Sequence, residues 1–133
     1  MKKVLLLSCY ELGHQPFPVA MAARFLKQAG FVPDITDLAV ESFPEEKVRE
    51  SDLIAISVPM HTALRIGVGA AERIRKLNPA AHINFFGLYA ELNSDYLRKK
   101  YADSTIGGEF ENPLVDLATS MEKGSQLSLV RQV

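Results

Sequence analysis

The chain has 133 residues, of which 47% are hydrophobic and 23% charged, and its formal net charge is −1. These values predict one globular domain with a buried core, and they exclude a general nucleic-acid binder, which needs a clustered basic surplus. Cys9 is the only cysteine, so this chain alone cannot form an internal disulfide or a cysteine-based metal cluster. A single free thiol favours a reducing cytoplasm. The apolar run near the amino terminus is too short for a signal peptide or a membrane span.

The first third of the chain alternates between strand and helix patterns. Residues 3–9 form a short apolar run that predicts a strand covered on both faces. Residues 18–30 predict a helix, because they begin with proline, end with glycine and carry an apolar stripe at helical spacing. Residues 31–38 predict a weaker strand at a sheet edge, since Pro33 cannot donate to a ladder. Residues 42–51 predict a short helix.

The middle of the chain repeats the alternation. Residues 52–58 predict a second strongly apolar strand, and residues 60–79 give the longest helical pattern. Gly67 and Gly69 lower the helix propensity of that segment by roughly 1 kcal/mol each. Small residues there would let the helix lie close to the sheet or to a ligand. Residues 81–87 predict a third buried strand.

The last third of the chain predicts a helix, a strand and a closing helix. The helices are expected over residues 93–101 and 112–124, with a short strand within residues 103–110. Residues 125–133 have no clear pattern and are interpreted as a linker or a cut end. The predicted domain therefore spans residues 1–124.

Five successive strand–helix units predict an α/β fold with a five-stranded parallel sheet and helices on both faces. This is a flavodoxin-like, or Rossmann-like, three-layer sandwich. In such sheets ligands bind at the carboxyl ends of the strands, where the winding direction reverses. That rule selects the loops over residues 9–17, 58–63, 87–92 and 107–111.

Several common uses of this fold are excluded by the sequence of these loops. The first loop has a single glycine, Gly13, so it lacks the G-x-G-x-x-G and P-loop patterns that hold phosphates. Pro16 and Pro18 also remove amide donors that a phosphate would use, and the loop lacks the hydroxyl- and glycine-rich composition expected for FMN. A receiver domain needs an aspartate at the end of strand three, where this chain has Ser57.

Nucleophilic and metal chemistry remain open alternatives. Cys9 with His14 or His61 would form a thiolate–imidazole pair, although a cysteine at the end of a buried strand is usually an inert small hydrophobe. A metal site from His14, His61 and Glu109 is compatible with the predicted loop positions, but no paired ligand spacing supports it. Catalysis by this chain alone is therefore not the favoured interpretation.

Longer motifs resemble a known family over about residues 3–120. They are P-x-x-x-A-x-x-L-x-x-A-G, DLIAISV, IRKLNPAAHINFFG and GGEFENPLVDL. Together they resemble the cobalamin-binding domain that precedes the catalytic barrel in B12-dependent radical SAM enzymes. The stretches CYELGHQPF, PMHTALR, FGLYAELN and GGEFE resemble a subgroup with a tail of cysteine or selenocysteine before Ala-Glu-Pro.

The resemblance implies a cobalamin-binding module that presents the corrinoid to a downstream radical SAM barrel. His14 would be the lower axial ligand of cobalt. The implied cofactor contacts are Tyr10, Glu11, Leu12, Gly13, His14, Ser57, Pro59, Met60, His61, Thr62, Gly87, Leu88, Tyr89, Gly107, Gly108, Glu109 and Phe110. The iron–sulfur cluster and S-adenosylmethionine would belong to the downstream domain, since the three-cysteine motif is absent here.

Two alternatives remain beside this expectation. The first is a cofactor-free flavodoxin-like interaction module, which would dock onto the barrel or onto a partner protein. The second is a small stand-alone enzyme that uses Cys9. Neither nucleic acid nor a membrane is an expected partner.

Overall fold

The computed structural model describes residues 2–9 and 17–131, with side chains through Gly124. The strands are β1 (Val4–Ser8), β2 (Asp34–Asp37), β3 (Leu53–Ser57), β4 (His82–Phe86) and β5 (Ser104–Ile106). The helices are α1 (Phe17–Gln28), α2 (Glu45–Glu50), α3 (His61–Leu77), α4 (Leu88–Leu92), α5 (Ser94–Lys100) and α6 (Glu111–Arg131).

The five strands form one parallel sheet in the order β2-β1-β3-β4-β5. The predicted fold class is confirmed, and β2 is the edge strand that Pro33 indicated. The chain winds from β1 to β2 in one direction and from β3 to β5 in the other. The winding direction therefore reverses between β1 and β3, the two strands at which a ligand crevice is expected.

Helices cover both faces of the sheet, because alternate residues of each strand point to opposite sides. One face carries Leu6 and Phe86 and packs against α1 and α6. The other face carries Leu5 and Phe85 and packs against the helices from α2 to α5. All four of these side chains are fully buried, so the core is two apolar layers separated by the sheet.

Helix α3 approaches the sheet closely at Gly67. A Cβ atom at this position would lie 3.0 Å from Ile56, 3.1 Å from Phe85 and 3.2 Å from Val58. Gly69, two residues along the same helix, would have no atom within 4 Å. Close approach to the sheet is thus confirmed for Gly67, whereas Gly69 does not contact the sheet, and the alternative that a small residue there admits a ligand stays a prediction.

Two segments differ from the prediction. The chain after β4 was expected to be a loop over residues 87–92, but it forms the short helix α4. Its apolar Ala90 and Leu97 of α5 both reach the core, and this packing stabilises a turn that is too short to recognise by periodicity. The last helix begins at Glu111 and continues to Arg131, beyond the predicted boundary at residue 124. The boundary itself stays a prediction.

In the described part of the chain, no helix combines the length and the apolar character that crossing a bilayer requires.

Candidate functional site

The carboxyl ends of the strands meet at one edge of the sheet, which we call the crest. Its described residues are Ser8 and Cys9 after β1, and residues 57–62, 87–92 and 106–111 around the ends of β3, β4 and β5. Residues 10–16 connect β1 to α1 and lie outside the described residues. The predicted contacts Tyr10, Glu11, Leu12, Gly13 and His14 therefore lie outside them too.

Gly87 joins the segments that follow β3 and β4. Its φ of +112° is a conformation that a side chain rarely adopts, and a Cβ atom would lie 3.2 Å from the carbonyl oxygen of Val58. The same Val58 oxygen accepts a hydrogen bond of 3.1 Å from the backbone N–H of Tyr89. The rings of Tyr89 and His61 have centroids 6.2 Å apart. The second and third predicted loops therefore meet, as expected.

His61 and Thr62 are the first residues of α3, and both are exposed. Met60 is the N-cap residue, and its side chain makes no capping hydrogen bond. Pro59 and Met60 lie half-buried between this turn and β3.

The segment after β5 packs against the segment after β4. A Cβ atom at Gly107 would lie 2.5–2.7 Å from the side chain of Glu91, so glycine is required for this contact. Phe110 packs on Phe86 with ring centroids 4.8 Å apart. Gly108 has a φ of +59° and turns the chain toward α6. The third and fourth predicted loops are thus neighbours as well, while Leu88 and Glu109 are exposed.

The centre of the crest carries two buried hydroxyl groups. Ser8 and Ser57 are register partners at the ends of β1 and β3. Ser8 is 0% exposed and Ser57 is 1% exposed, and neither Oγ atom has a hydrogen-bond partner among the described residues. Sequence analysis selected Ser57 but passed over Ser8, although both residues end apolar strands and sit where a polar residue interrupts the apolar run.

Cys9 is not a nucleophile in this structure. Its side chain is buried in the layer that faces α3 and α5. Burial, reinforced by the negative charge of Asp37, raises the pKa of the thiol to about 12. The thiol is therefore protonated at neutral pH, and the alternative of a stand-alone enzyme that uses Cys9 has no support.

The described residues do not form a metal centre. Among residues 2–9 and 17–131 no three His, Cys, Asp or Glu side chains come together in a way that would hold a metal ion. His61 and Glu109 are thus not assembled with a third described ligand. His14, the predicted cobalt ligand, lies outside this part of the chain.

Sequence analysis missed a polar cluster between β4 and β5. Ser104 Oγ lies 2.8 Å from His82 Nε2 and accepts a hydrogen bond of 2.8 Å from Asn84 Nδ2. Asp103 accepts hydrogen bonds from the backbone N–H of Ile83 at 2.9 Å and from Arg75 at 3.0 Å. These contacts cross between two strands that are about 20 residues apart in sequence, so no local pattern marks them. They lie toward the amino ends of the strands, away from the crest.

Comparison with known proteins shows the fold. No family model and no curated protein match the chain. A streptococcal chain from a family of redox sensors that evolved from two-component response regulators has a TM-score of 0.66 and 17% identity. The match covers 98% of the present chain and 55% of that chain, so the present chain spans little more than half of it.

Two further solved structures are receiver-type proteins matched over nearly their whole length. A Thermotoga maritima response regulator in complex with Mg²⁺ and BeF has a TM-score of 0.65 and 21% identity, with 92% of this chain and 98% of that chain covered. A CheY-like receiver domain from Methanospirillum hungatei has a TM-score of 0.62 and 18% identity, with 93% of each chain covered.

These comparisons correct the functional expectation. The solved structures compared above are described as a response regulator, as a receiver domain and as a redox sensor that evolved from response regulators, and none of the three is described as a cobalamin-binding domain. The interpretation as a cobalamin-binding module of a radical SAM enzyme is therefore wrong. The predicted partner, a radical SAM barrel, was expected through the same resemblance and is wrong as well. The individual loop contacts and the bound corrinoid were also expected through this resemblance. They stay predictions.

Proposed function

We propose that the chain is a receiver-like signalling module of the cytoplasm that acts by binding a partner protein and does not accept a phosphoryl group on aspartate. This is the cofactor-free interaction module that sequence analysis kept as an alternative. The receiver structures with the same fold support the signalling part of the proposal. The chemistry of the crest supports the second part.

The main support for the absence of aspartate phosphorylation is the residue at the end of β3. The acceptor carboxylate of a receiver stands at this point, and here the position is occupied by Ser57. Its hydroxyl is buried, and no described residue accepts a hydrogen bond from it and could act as a base. A serine hydroxyl without a base is a weak nucleophile. Phosphoryl transfer from a small phosphodonor to this position has no chemical support.

Divalent metal binding is also unsupported by the described crest. Receiver chemistry uses acidic side chains to hold Mg²⁺, and this ion prefers carboxylate oxygens. The described residues hold no acidic cluster that fits it. Glu109 and Glu91 are both exposed on segments that follow different strands. The described part of the crest therefore offers no carboxylate cluster for this ion.

Exposed apolar side chains point to partner binding. On α4 and its continuation in α5, Leu88 is 56% exposed, Leu92 is 67% exposed and Tyr96 is 44% exposed. Three large apolar side chains within nine residues cost free energy in water, and such surfaces commonly mark interaction sites. A partner that covered them would recover that free energy.

The test of this function is phosphorylation in vitro. The full chain is incubated with Mg²⁺ and acetyl phosphate, beside a receiver domain that has its acceptor aspartate, and intact masses are recorded. We expect the control to gain one phosphoryl group and this chain to gain none. An acid-labile phosphoryl adduct on this chain would overturn the proposal.

Site-specific photo-crosslinking in the source cells tests the interaction part. A photoreactive residue at Leu92 is expected to form a discrete adduct with another protein. The same residue at Val40, which is 81% exposed on the turn after β2, serves as the control for accessibility. Equal adduct formation at both positions, or none at Leu92, would contradict the proposal.

A further inference from the structure

A groove runs along the outer layer between α3 and α5. Its upper part, of about 490 Å³, is bordered by His61, Leu64, Arg65 and Tyr96 among others. Its lower part, of about 370 Å³, is bordered by Ala71, Glu72, Lys76, Lys100 and Tyr101 among others. The border residues of α3 run from His61 to Lys76, which corresponds to about 22 Å at a rise of 1.5 Å per residue.

Two tyrosines join the two parts of the groove. Tyr96 borders the upper part and Tyr101 borders the lower part. Their ring centroids are 5.6 Å apart, and the hydroxyl of Tyr96 donates to that of Tyr101 at 3.5 Å. The accessible apolar surface comes from the half-buried Val68 of α3 and from the two tyrosine rings, while Leu64 and Ala71 also line the groove but are buried in the core. The groove is therefore one elongated surface with an apolar and aromatic lining.

The charges along the groove are mainly positive. Its border includes the cations Arg65, Arg75, Lys76 and Lys100 and the single carboxylate Glu72. The whole chain has a formal charge of −1. The groove is thus a basic stripe on a protein that is slightly acidic overall, a pattern that attracts an acidic partner.

Most of these cations have no carboxylate within the chain. Arg75 forms an ion pair of 3.0 Å with Asp103. Arg65, Lys76 and Lys100 form no ion pair within the part of the chain that the structure describes, and Lys100 lies over the ring of Tyr96 at 5.4 Å. By contrast, Arg49 on α2, Arg73 on α3 and Arg98 on α5 each pair with a carboxylate.

We infer that this groove binds an acidic amphipathic segment of a partner protein. The inference rests on the proposed function, because it names the surface and the chemistry of the partner. Leucine-like side chains of the segment would pack on Val68 and on the rings of Tyr96 and Tyr101. Its carboxylates would pair with Arg65, Lys76 and Lys100. A helix of about 15 residues matches the groove length of about 22 Å. Such a helix recognises a groove through side chains at positions i, i+3, i+4 and i+7.

The experiment uses a defined probe. The probe is a fluorescein-labelled peptide of about 16 residues, with leucines at i, i+3, i+4 and i+7 spacing and glutamates elsewhere. Its affinity for the full chain is measured by fluorescence anisotropy. A peptide of identical composition with scrambled order serves as the ligand control. We expect the ordered peptide to bind about tenfold more tightly than the scrambled one, because only its leucines share one face.

The chain offers a matched control for charge. The test variant is Arg65→Glu with Lys76→Glu, which reverses one mid-helix and one last-turn cation of α3. The control variant is Arg24→Glu with Lys27→Glu, which makes the same changes at comparable positions of α1 on the opposite face. We expect the test variant to bind about tenfold more weakly and the control variant to change affinity less than about twofold.

The outcomes separate this inference from the proposed function. If both variants bind the peptide equally weakly, or if both peptides bind with equal affinity, the attraction is nonspecific and the proposed binding groove is wrong. If the test variant does not fold, amide shift mapping on the unaltered chain replaces it: shifts confined to α3 and α5 support the groove, and shifts on α1 and α6 overturn it. If the groove proposal fails, the results expected from photo-crosslinking at Leu92 and from the phosphorylation test do not change. Phosphorylation of the chain would overturn the proposed function without altering the peptide result.

Discussion

Ser8 and Ser57 lie side by side at the carboxyl ends of β1 and β3, and both hydroxyl groups are buried without a hydrogen-bond partner in the part of the chain that the structure describes. Removing a hydroxyl group from water without replacing its hydrogen bond costs about 1–3 kcal/mol. The crest therefore contains polar groups that lower the stability of the fold.

Replacing Ser57 with alanine should stabilise the protein. The change removes an unpartnered hydroxyl and leaves no cavity larger than one oxygen atom, so we expect the free energy of unfolding to rise by about 0.5–1 kcal/mol. Urea denaturation measures the difference. Ser51→Ala is the contrasting variant, since Ser51 Oγ donates to the carbonyl oxygen of Lys47 and its loss should cost about 1 kcal/mol. A loss of stability in Ser57→Ala would mean that the hydroxyl is bonded in solution.

The two glycines of α3 should respond in opposite ways to alanine. Gly69→Ala is expected to raise the free energy of unfolding by up to about 1 kcal/mol, because alanine favours the helix and its Cβ meets no atom within 4 Å. Gly67→Ala places a Cβ 3.0–3.2 Å from the buried side chains of Ile56, Phe85 and Val58, so these must shift by a few tenths of an ångström within a packed core. We expect a loss of about 1–3 kcal/mol from this overpacking.

Thermal and urea unfolding of the two single variants would decide the matter. The two positions share one helix and one substitution, so helix propensity cancels in the comparison. If both variants were stabilised to the same degree, α3 would not lie as close to the sheet as the structure places it.

The fold was predictable because its strongest signals are local. The apolar runs that became β1, β3 and β4 are fully or nearly fully buried, and such runs are recognisable without any knowledge of their neighbours. The edge position of β2 followed from Pro33 alone. The meeting of the loops at the crest followed from the parallel sheet, since the carboxyl ends of all strands share one edge.

The missed features depend on contacts between distant residues. Gly107 packs against the side chain of Glu91, which belongs to a different segment of the crest. The groove between α3 and α5 exists only when both helices have packed. The family resemblance failed for another reason. The motifs DLIAISV and IRKLNPAAHINFFG consist mainly of residues that build β3, α3 and β4, and many proteins of unrelated function share such elements.

Cys9 should be unreactive in the folded protein. Burial raises the pKa of its thiol to about 12, so on the order of one molecule in 10⁵ carries a thiolate at pH 7. We expect negligible reaction with an aromatic disulfide reagent in native buffer and rapid stoichiometric reaction in concentrated urea. Labelling within minutes under native conditions would contradict the buried position. The streptococcal neighbour is described as belonging to a family of redox sensors, but the geometry of Cys9 gives this thiol no such role.

The stability of the protein should fall as the pH decreases through the titration range of His82. Burial of the ring, assisted by the positive charge of Arg75, lowers the pKa of His82 below 6.5, although the carboxylate of Asp103 opposes this shift. The unfolded chain then binds a proton more readily than the folded chain does. The contribution of the neutral ring is fully present above pH 6.5, and it is lost as the pH falls through the lowered value.

Urea denaturation from about pH 7.5 to about pH 5.5 measures this loss, in a range where the carboxylates stay ionised. His82→Gln is the informative variant, because glutamine does not titrate and its side-chain amide can still bond Ser104 Oγ, which lies 2.8 Å from the His82 ring. We expect the free energy of unfolding of the unaltered protein to decrease across this range and that of His82→Gln to decrease less. Parallel pH profiles for the two proteins would show that His82 does not carry the effect. A rise in the stability of the unaltered protein toward low pH would mean that the attraction of Asp103 outweighs burial at this ring.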